Sequence, residues 1–558
     1  MRAVIRALSK LGVTVADEAS AAAAGASNIA AHGAGHSSGK TETKGESAVW
    51  LKVAAAVVGL AVLGMAGTFF FGSSTTTAPT PIALGPTQTN TTTQATLDTN
   101  RIVVLPFKVI GGAKDSEDLG YGLVSTLTSK LQPLQNLVVI AKESARKFED
   151  SKQSPNEIGQ ALGAGTLVTG EIQTSNDKIQ VNIQLINANT EALGWGNTFT
   201  KTKNEFLDLQ NEIATKLASE LKGGLDAAEA QQLAQKATEN AEAQAEYQAG
   251  RREWNKRSKE GFDKAIKHFE KAIELDPDYA DAYASLADTY GLMPAYNFAS
   301  PDDAMPKAKS YAEKAKEKNP NLASAYTSLA WVLHNYEYDW KGAEENYSKA
   351  IELNPNYATV NHWFGLFLSN VGKHEEAIET LKKAAGLDPQ SMIIQSSAGQ
   401  VHLVAEQNNE ALKYVESAHK MNPYFSTALW FKFSKLANVN TDMDISYLKG
   451  AIKQFPDQPM HRKTLLEVYL KMGNREAALE QMVDLLDSFH NTLNNCHFAE
   501  TFFLLGKPEQ GYQWLKKGIQ AKESWVVMYG NLPSLKKYQK EPRFRELYKK
   551  INHPLYVD

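Results

Sequence analysis

The sequence has almost no cysteine, which limits the kinds of site that it can build. Its 558 residues contain a single cysteine, Cys496, so an intramolecular disulfide and a metal site held by several thiolates are both excluded. Cys496 lies in a predicted repeat helix, where a buried apolar thiol is expected rather than a nucleophile. Nothing else in the sequence indicates a metal site or a cofactor, and we predict neither.

An excess of one charge is also missing. The chain has 59 basic and 63 acidic residues and a net charge of −4, so it lacks the basic field that would indicate a nucleic-acid partner. No Ser-His-Asp, HExxH or paired-carboxylate pattern stands out, and the glycines after the first predicted strand do not have phosphate-loop spacing. The Glu and Lys residues of the repeats are interpreted as surface pairs. We predict that the protein is not an enzyme.

Charged side chains are absent from one long apolar segment. The nineteen residues from Val53 to Phe71 carry no charge, and as a helix they would extend about 28 Å, close to the thickness of a hydrocarbon core. Lys44 and Lys52 precede this segment, whereas no charged residue follows it before Asp98. This asymmetry predicts a single-pass anchor in the inner membrane, with the N-terminus in the cytoplasm and the C-terminal part in the periplasm or outside.

Prolines end predicted helices at regular intervals in the C-terminal half. Pro355, Pro389, Pro423 and Pro456 are separated by 34, 34 and 33 residues. Amphipathic helices lie between them, with small residues such as Gly365 where two helices would touch. This period and order of residues closely resemble the tetratricopeptide repeat family. The resemblance implies a C-terminal α-solenoid of about eight helical hairpins, closed by a polar-faced cap.

A shorter segment before the repeats alternates strand and helix patterns. From "RIVVLPFKVI" at residue 101 to the helix "FLDLQNEIATKLASELKG", the predicted order is β-α-β-α-β-β-β-α, a small α/β domain. The stretches "VVLPF", "LGYGLVSTLTSKL", "IGQALGAGTLVTGEI" and "VNIQLINANT" look like the TolB amino-terminal-like (FlgO-like) domain. In CadC-type bacterial membrane regulators such a domain precedes tetratricopeptide repeats outside the cytoplasm. Residues 1–48 are too short and too rich in Ala, Gly and Ser for the DNA-binding or cyclase module of such proteins.

The predicted fold is therefore mainly α, with one transmembrane helix, a small α/β domain and a solenoid. The segments follow in this order: a disordered cytoplasmic segment 1–48, an anchor 49–72, a Thr/Pro-rich tether 73–100, the α/β domain 101–225, a helical linker 226–244, the repeats 245–525 and a cap 526–558.

The inner surface of the solenoid is the predicted partner site. First-helix side chains that do not face the packing layer line such a surface. These candidates are Thr327, Trp331, His334, Asn335, Thr359, His362, Leu366, Asn370, Ser396 and Gln400. An exposed Trp331 beside amides and histidines suits a peptide groove; alternatively, Trp331 packs inside the solenoid. The basic clamp that many tetratricopeptide domains use for carboxylates is not present, because Thr and His stand in its place.

Three classes of function remain open from the sequence. The first is a membrane-anchored, non-catalytic scaffold or sensor that binds a protein or peptide, contacts the bilayer through residues 53–71 and does not bind nucleic acid. The second is a signalling component that couples extracytoplasmic binding to a separate cytoplasmic regulator. The third is an enzyme with a site in the α/β domain. The identity of the partner and the oligomeric state are left open.

The predicted orientation leads to a direct test in cells. A reporter that is active only in the periplasm, fused after Asp558, should be active, because the basic residues before the apolar segment retain the N-terminus in the cytoplasm. The activity of this fusion is compared with that of a cytoplasmic reporter at the same position. Activity of the cytoplasmic reporter alone would contradict the orientation.

Overall fold

The computed structural model of the protein describes residues 96–557, apart from 111–113, 176 and 437–441. The segment Thr96–Asp558 forms one compact unit. Within the described residues, no helix is long and apolar enough to cross a membrane. The predicted anchor and the cytoplasmic segment before it lie outside the described residues, as does most of the predicted tether.

The α/β part is built on one mixed sheet of six strands. The strands are β1 Arg101–Val104, β2 Lys108–Ile110, β3 Val138–Val139, β4 Thr166–Ser175, β5 Lys178–Asn187 and β6 Leu193–Thr202. Their order is β3-β1-β4-β5-β6, and β2 also pairs with β4. Pairs among β1 to β4 are parallel, whereas β4-β5 and β5-β6 are antiparallel. This agrees with the predicted order, in which helices separate the first strands and the last three strands follow one another directly.

The first predicted strand differs from the observed structure in one respect. It is divided into β1 and β2, with Pro106 between them. Proline has no N–H to donate to a ladder, so it interrupts a strand. Both fragments still pair with β4, so they remain part of the same sheet.

Four helices lie against this sheet. They are α1 Lys114–Leu131, α2 Lys142–Arg146, α3 Pro155–Leu162 and α4 Phe206–Lys222. Helix α3 begins with a capping box between Ser154 and Glu157 and ends at Gly163, whose φ of 63° is left-handed. Leu127 and Ile213 of the two long helices pack with Val168 of the sheet in one apolar core. The α/β layer therefore has its own hydrophobic core.

The rest of the described chain is helical, as predicted. Helix α5 Ala227–Ala234 links the two parts, and eight pairs of helices follow. The pairs, named hairpins 1 to 8 in order, are α6 Ala241–Trp254 with α7 Lys259–Leu275, α8 Ala280–Leu292 with α9 Pro301–Lys318, α10 Ala323–Val332 with α11 Trp340–Leu353, α12 Ala358–Asn370 with α13 His374–Leu387, α14 Met392–Val404 with α15 Asn408–Met421, α16 Ser426–Leu429 with α17 Asp442–Gln454, α18 Pro459–Lys471 with α19 Arg475–Phe489, and α20 Asn495–Leu504 with α21 Pro508–Gln520. Three short helices end the chain: α22 Val526–Tyr529, α23 Lys536–Gln539 and α24 Pro542–Lys549.

The first helices of two hairpins continue into a wider π-helical turn. These turns are Leu333–Glu337 in hairpin 3 and Trp430–Leu436 in hairpin 6. A π-helical turn changes the direction of the side chains that follow it, and such turns are common at functional sites. The second turn carries residues of the candidate site described below.

Hydrogen bonds and close packing join the α/β layer to the middle of the solenoid. The N–H of Ala141 donates to the carbonyl of Leu387 at 2.8 Å, next to the end of β3. The side-chain amide of Asn356 donates to the carbonyls of Gln132 and Leu137 at 2.8 and 2.7 Å. Asn356 lies just before α12, and Leu387 is the last residue of α13. All three bonds therefore connect the α/β layer to hairpin 4. The solenoid therefore covers the β3 edge of the sheet.

The end of the solenoid returns to contact hairpins 3 and 4. The indole N–H of Trp340 donates to the carbonyl of Ile551 at 3.1 Å, and its ring lies 5.0 Å from that of His553. The amide of Asn531 donates to the carbonyl of Ser369 at 2.6 Å. The C-terminal helices thus pack against residues about two hundred positions earlier, in addition to covering the last hairpin.

The contact between the two helices of hairpin 4 provides a test of the packing. A Cβ at Gly365 would clash with Leu381, whose side chain is fully buried. We expect Gly365→Ala to lower the free energy of unfolding by about 1–3 kcal/mol, because a closed contact must open. Gly450→Ala is the control, since no atom lies within 4 Å of the added methyl group. Thermal melting of both variants checks this, and an unchanged Gly365→Ala curve would contradict it.

Candidate functional site

Most of the predicted groove residues are part of the solenoid core. The expectation that Trp331 is exposed is wrong, because its side chain is only 9% exposed. Its indole N–H donates to the carbonyl of Gly291 at 2.9 Å, and its ring lies 4.6 Å from that of Trp363. Gly291 in the preceding hairpin has no side chain, so the indole can lie directly against its backbone. Trp331 is therefore a packing residue between hairpins 2, 3 and 4.

The other predicted groove residues show the same pattern. Thr359 and Leu366 are half-buried. The remaining seven, which are buried, are Thr327, His334, Asn335, His362, Asn370, Ser396 and Gln400. The structure thus does not bring the predicted set together as an open surface.

Hydrogen bonds inside the solenoid account for several of these polar side chains. His334 Nε2 lies 3.1 Å from the amide nitrogen of Asn370, and His362 Nε2 lies 2.8 Å from Ser397 Oγ. Burial lowers the pKa of both histidines to about 3, so both are neutral at ordinary pH. These groups satisfy each other between neighbouring first helices, which is a structural role.

A charged cluster lies where the α/β layer faces the start of the solenoid. Lys142 Nζ lies 4.8 Å from the centre of the Tyr121 ring and donates to Ser125 Oγ at 2.6 Å. Glu143 accepts a hydrogen bond from the amide of Asn255 at 2.7 Å. Burial lowers the pKa of Lys142 to about 7, which shows how poorly solvated this cation is.

Arginines of hairpin 1 complete this cluster. The guanidinium groups of Arg251 and Arg257 lie 4.3 and 3.5 Å from the centre of the Trp254 ring. Asp288 of hairpin 2 accepts a hydrogen bond from Ser328 Oγ at 2.5 Å, and burial raises its pKa to about 6. The aromatic faces hold the cations in place, and the bond between Glu143 and Asn255 links the α/β layer to hairpin 1.

A second charged cluster, which we call the ion network, joins hairpins 6, 7 and 8. Lys435 Nζ lies 2.6 Å from Glu467 and 2.7 Å from Glu500. Lys463 Nζ contacts Glu467 and lies 2.8 Å from the other oxygen of Glu500. The side chains of all four are at most 8% exposed. The interpretation of repeat Lys and Glu residues as surface pairs is therefore wrong for these four.

Aromatic and hydroxyl groups complete the bonding of the ion network. The amines of Lys463 and Lys435 lie 4.4 and 5.2 Å from the centre of the Trp430 ring. The hydroxyl of Ser534 donates to Glu500 at 2.6 Å. Burial alone would raise the pKa of Glu500, but the two lysines together hold that pKa well below its usual range. The carboxylate of Glu500 is therefore held as an anion.

A cleft of about 670 Å³ lies directly over the ion network. Lys435 and Glu467 of the network line it together with Lys471 and two serines. Its apolar lining is Leu403, Leu470, Leu504 and Leu532. The cleft therefore combines a rigid polar floor with aliphatic walls, and its volume is in the range of sites for small molecules or a few side chains.

The lone cysteine and the metal question can be judged from the described residues. Cys496 is fully buried, so the prediction of a buried thiol is confirmed. Burial together with Glu523 raises the pKa of this thiol well above the usual value. Residues 96–557, where described, contain no cluster of three or more His, Cys, Asp or Glu side chains that would hold a metal ion.

The sequence contained a weak signal for the ion network that was missed. Lys435, Glu467 and Glu500 lie on successive first helices at a spacing of about one repeat. When charged residues recur at the same position of successive helices, and those helices are buried on both sides, they indicate an internal ion pair rather than a surface pair. The preceding first helix, α14, shows this kind of burial, since every residue from Ile394 to Val404 is buried.

Comparison with known families supports the repeats. Models for tetratricopeptide repeats match residues 256–293 and 346–379, so the prediction of this repeat is confirmed. A third model, described as the second domain of HilA/YgeH-like transcriptional regulators, matches residues 98–216. The resemblance of the α/β domain to the TolB amino-terminal-like domain stays a prediction.

Individual relatives are distant. Putative adenylate cyclase 3 of Rhizobium meliloti (strain 1021) is 22% identical over 186 residues, a match that covers 33% of this chain and 32% of that protein. The crystal structure of YrrB, a TPR protein with an unusual peptide-binding site, covers 33% of this chain and 89% of its own at 24% identity, with a TM-score of 0.23. A thermophilic TPR protein of Thermus thermophilus covers 38% and 99% at 19% identity, with a TM-score of 0.28. This chain therefore contains tetratricopeptide repeats, which the family models recognise in two of its segments.

Proposed function

We propose that this protein is a membrane-anchored, non-catalytic scaffold or sensor, and that it binds a protein or peptide partner in the cleft over the ion network. The observation that carries this proposal is the juxtaposition of four leucines with a buried and fully bonded charge network. Side chains that are already fixed lose little entropy when a partner binds. An aliphatic side chain of the partner would contact Leu470 and Leu504, the more exposed of the four leucines, and its polar groups would meet the lysines and serines that line the cleft.

The bonding of the ion network argues against covalent catalysis there. The amines of Lys435 and Lys463 each contact two carboxylates. For Lys435 these carboxylates outweigh burial and raise the pKa, so its amine stays protonated and is not available as a nucleophile. The buried thiol of Cys496 is likewise protonated. These properties suit a fixed recognition surface better than a reactive one.

The position outside the cytoplasm rests on the sequence. The uncharged segment Val53–Phe71 is long enough to span a bilayer, and the basic residues precede it. We propose that residues 73–100 tether the described part to the outer surface of the inner membrane, where the cleft meets its partner. The α/β domain then lies between the tether and the solenoid.

A variant in the cleft tests the scaffold proposal. Leu504 is 38% exposed and lines the cleft, so Leu504→Glu places a charge among the leucines without opening the core. We expect at least a tenfold loss of partner capture at an unchanged melting temperature, because a central apolar contact commonly contributes about 2 kcal/mol. Capture is measured by cross-linking the full chain in envelopes and quantifying the linked proteins by mass spectrometry.

The matched control for this variant is Met443→Glu. Met443 lies on α17, is 81% exposed and does not line the cleft, so the same charge there should leave capture unchanged. Equal capture by Leu504→Glu and the wild type would remove the cleft from consideration as the partner site.

Signalling is the second candidate function. It is favoured by the match of residues 98–216 to a domain of transcriptional regulators and by the relative named as a putative adenylate cyclase. In this case partner binding outside the cytoplasm would act on a separate cytoplasmic regulator through the anchor and residues 1–48.

Removing the cytoplasmic segment separates the two candidates. Deletion of residues 2–48, with the anchor retained, should leave partner capture and the transcript profile as in the wild type if the protein is a scaffold. If it relays a signal, capture persists but the transcript profile changes to that of a strain lacking the whole gene. RNA sequencing of the three strains, beside the capture assay, measures both outcomes.

A further inference from the structure

The two edges of the sheet are treated differently by the rest of the molecule. At one edge, β3 has only two residues, and the solenoid covers it through the bond from Ala141 to Leu387. At the other edge, β6 has ten residues and pairs with β5 alone among the described strands. A long edge strand presents a row of N–H and C=O groups that another strand can use.

The usual protection of an edge strand is missing from the central part of β6. The segment from Leu193 to Thr200 has no proline and no charged side chain, although both are common devices that prevent edge pairing. The only register shift faces the start of the strand, opposite Leu185 and Ile186, and the pairing is regular from Trp195 onward. The central part of the strand is therefore straight enough to accept a neighbour.

Local features of β6 agree with an open edge. The backbone N–H of Thr198 donates to the side chain of its neighbour Asn197 at 2.8 Å, a local bond that a strand partner can replace. Leu193 is 60% exposed, one of the largest exposures of an apolar side chain among the described residues. Both a backbone donor and an apolar side chain would gain a partner if another strand were added.

We propose that β6 pairs antiparallel with β6 of a second copy of this chain, which makes a homodimer whose two six-stranded sheets become continuous. A two-fold axis through the middle of the strand automatically gives antiparallel pairing of the strand with itself. The single charge, Lys201, then lies opposite the uncharged start of the strand in the second copy, so no like charges meet. Lys201 already lies 3.5 Å from Glu212 of its own chain.

This inference is independent of the cleft. The cleft lies on hairpins 5 to 8 and the cap, whereas β6 belongs to the α/β layer. If the protein is anchored as proposed, two copies in the same membrane present their α/β domains at a similar height, which raises their effective concentration. The dimer would then carry two clefts for partners.

A charge-swap experiment on the full-length chain in detergent tests the proposal. Thr198 and Thr200 are exposed and point to the solvent face of the sheet. We expect the double variant T198K/T200K and the double variant T198E/T200E each to be at least tenfold weaker in dimerisation than the wild type, because like charges lie within about 8 Å of each other across the axis. An equimolar mixture of the two should form heterodimers again. Analytical ultracentrifugation measures the species.

The control is Thr169→Lys, which places the same charge on the same face but two strands from the edge, and it should leave the dimer intact. As a second measurement, Thr198→Cys should form a disulfide-linked dimer under mild oxidation, since the native thiol of Cys496 is buried. A monomeric wild-type chain, a dimer that tolerates both charged variants, or a failure of the mixture to recover would each overturn the proposal.

Discussion

The close approach of the two helices in each hairpin is the constraint on which the solenoid depends. In hairpins 1, 4, 5 and 8 it is achieved by glycine on one helix facing a large side chain on the other. Gly250 lies against Phe269 and Gly399 against Val415 in the same way that Gly365 lies against its leucine. Dispersion contacts are lost steeply as surfaces separate, so a larger residue at any of these positions would open the layer that holds neighbouring hairpins together.

Tight stacking also determines what the first helices can do. A first helix packs against its own second helix and against the first helices on both sides, so almost none of its surface remains free. Several of its polar side chains bond with a neighbouring side chain, as His362 does with Ser397, or with a neighbouring backbone, as Trp331 does. Burying such groups without partners would cost free energy. The polar and aromatic residues of these helices that were predicted to bind a partner therefore stabilise the packing between hairpins.

The charged groups of the ion network also need bonding partners, because they are buried. Moving four charged groups out of water is costly, and their attraction offsets the cost only when each group is fully bonded. Here the amines contact two carboxylates each, Trp430 lies beside both lysines, and Ser534 and Tyr529 bond to Glu500. An apolar core of similar volume would often be as stable, so the stability of the fold does not by itself account for the network.

The sequence by itself determined the architecture of the described part, because periodicity, proline spacing and strand alternation are local properties. It predicted the α/β order and the eight hairpins, and it placed Gly365 at a helix contact. It did not distinguish the faces of helices that are buried all round. It therefore left Trp331 open between a groove and the solenoid core, and the Lys and Glu residues of the repeats, Lys435 and Glu467 among them, were interpreted as surface pairs. Only the tertiary structure decided these questions, since the burial of a side chain depends on which hairpins lie beside it. The cleft, the docking of the α/β layer on the solenoid and the open edge at β6 were decided in the same way, by contacts between residues far apart in the chain.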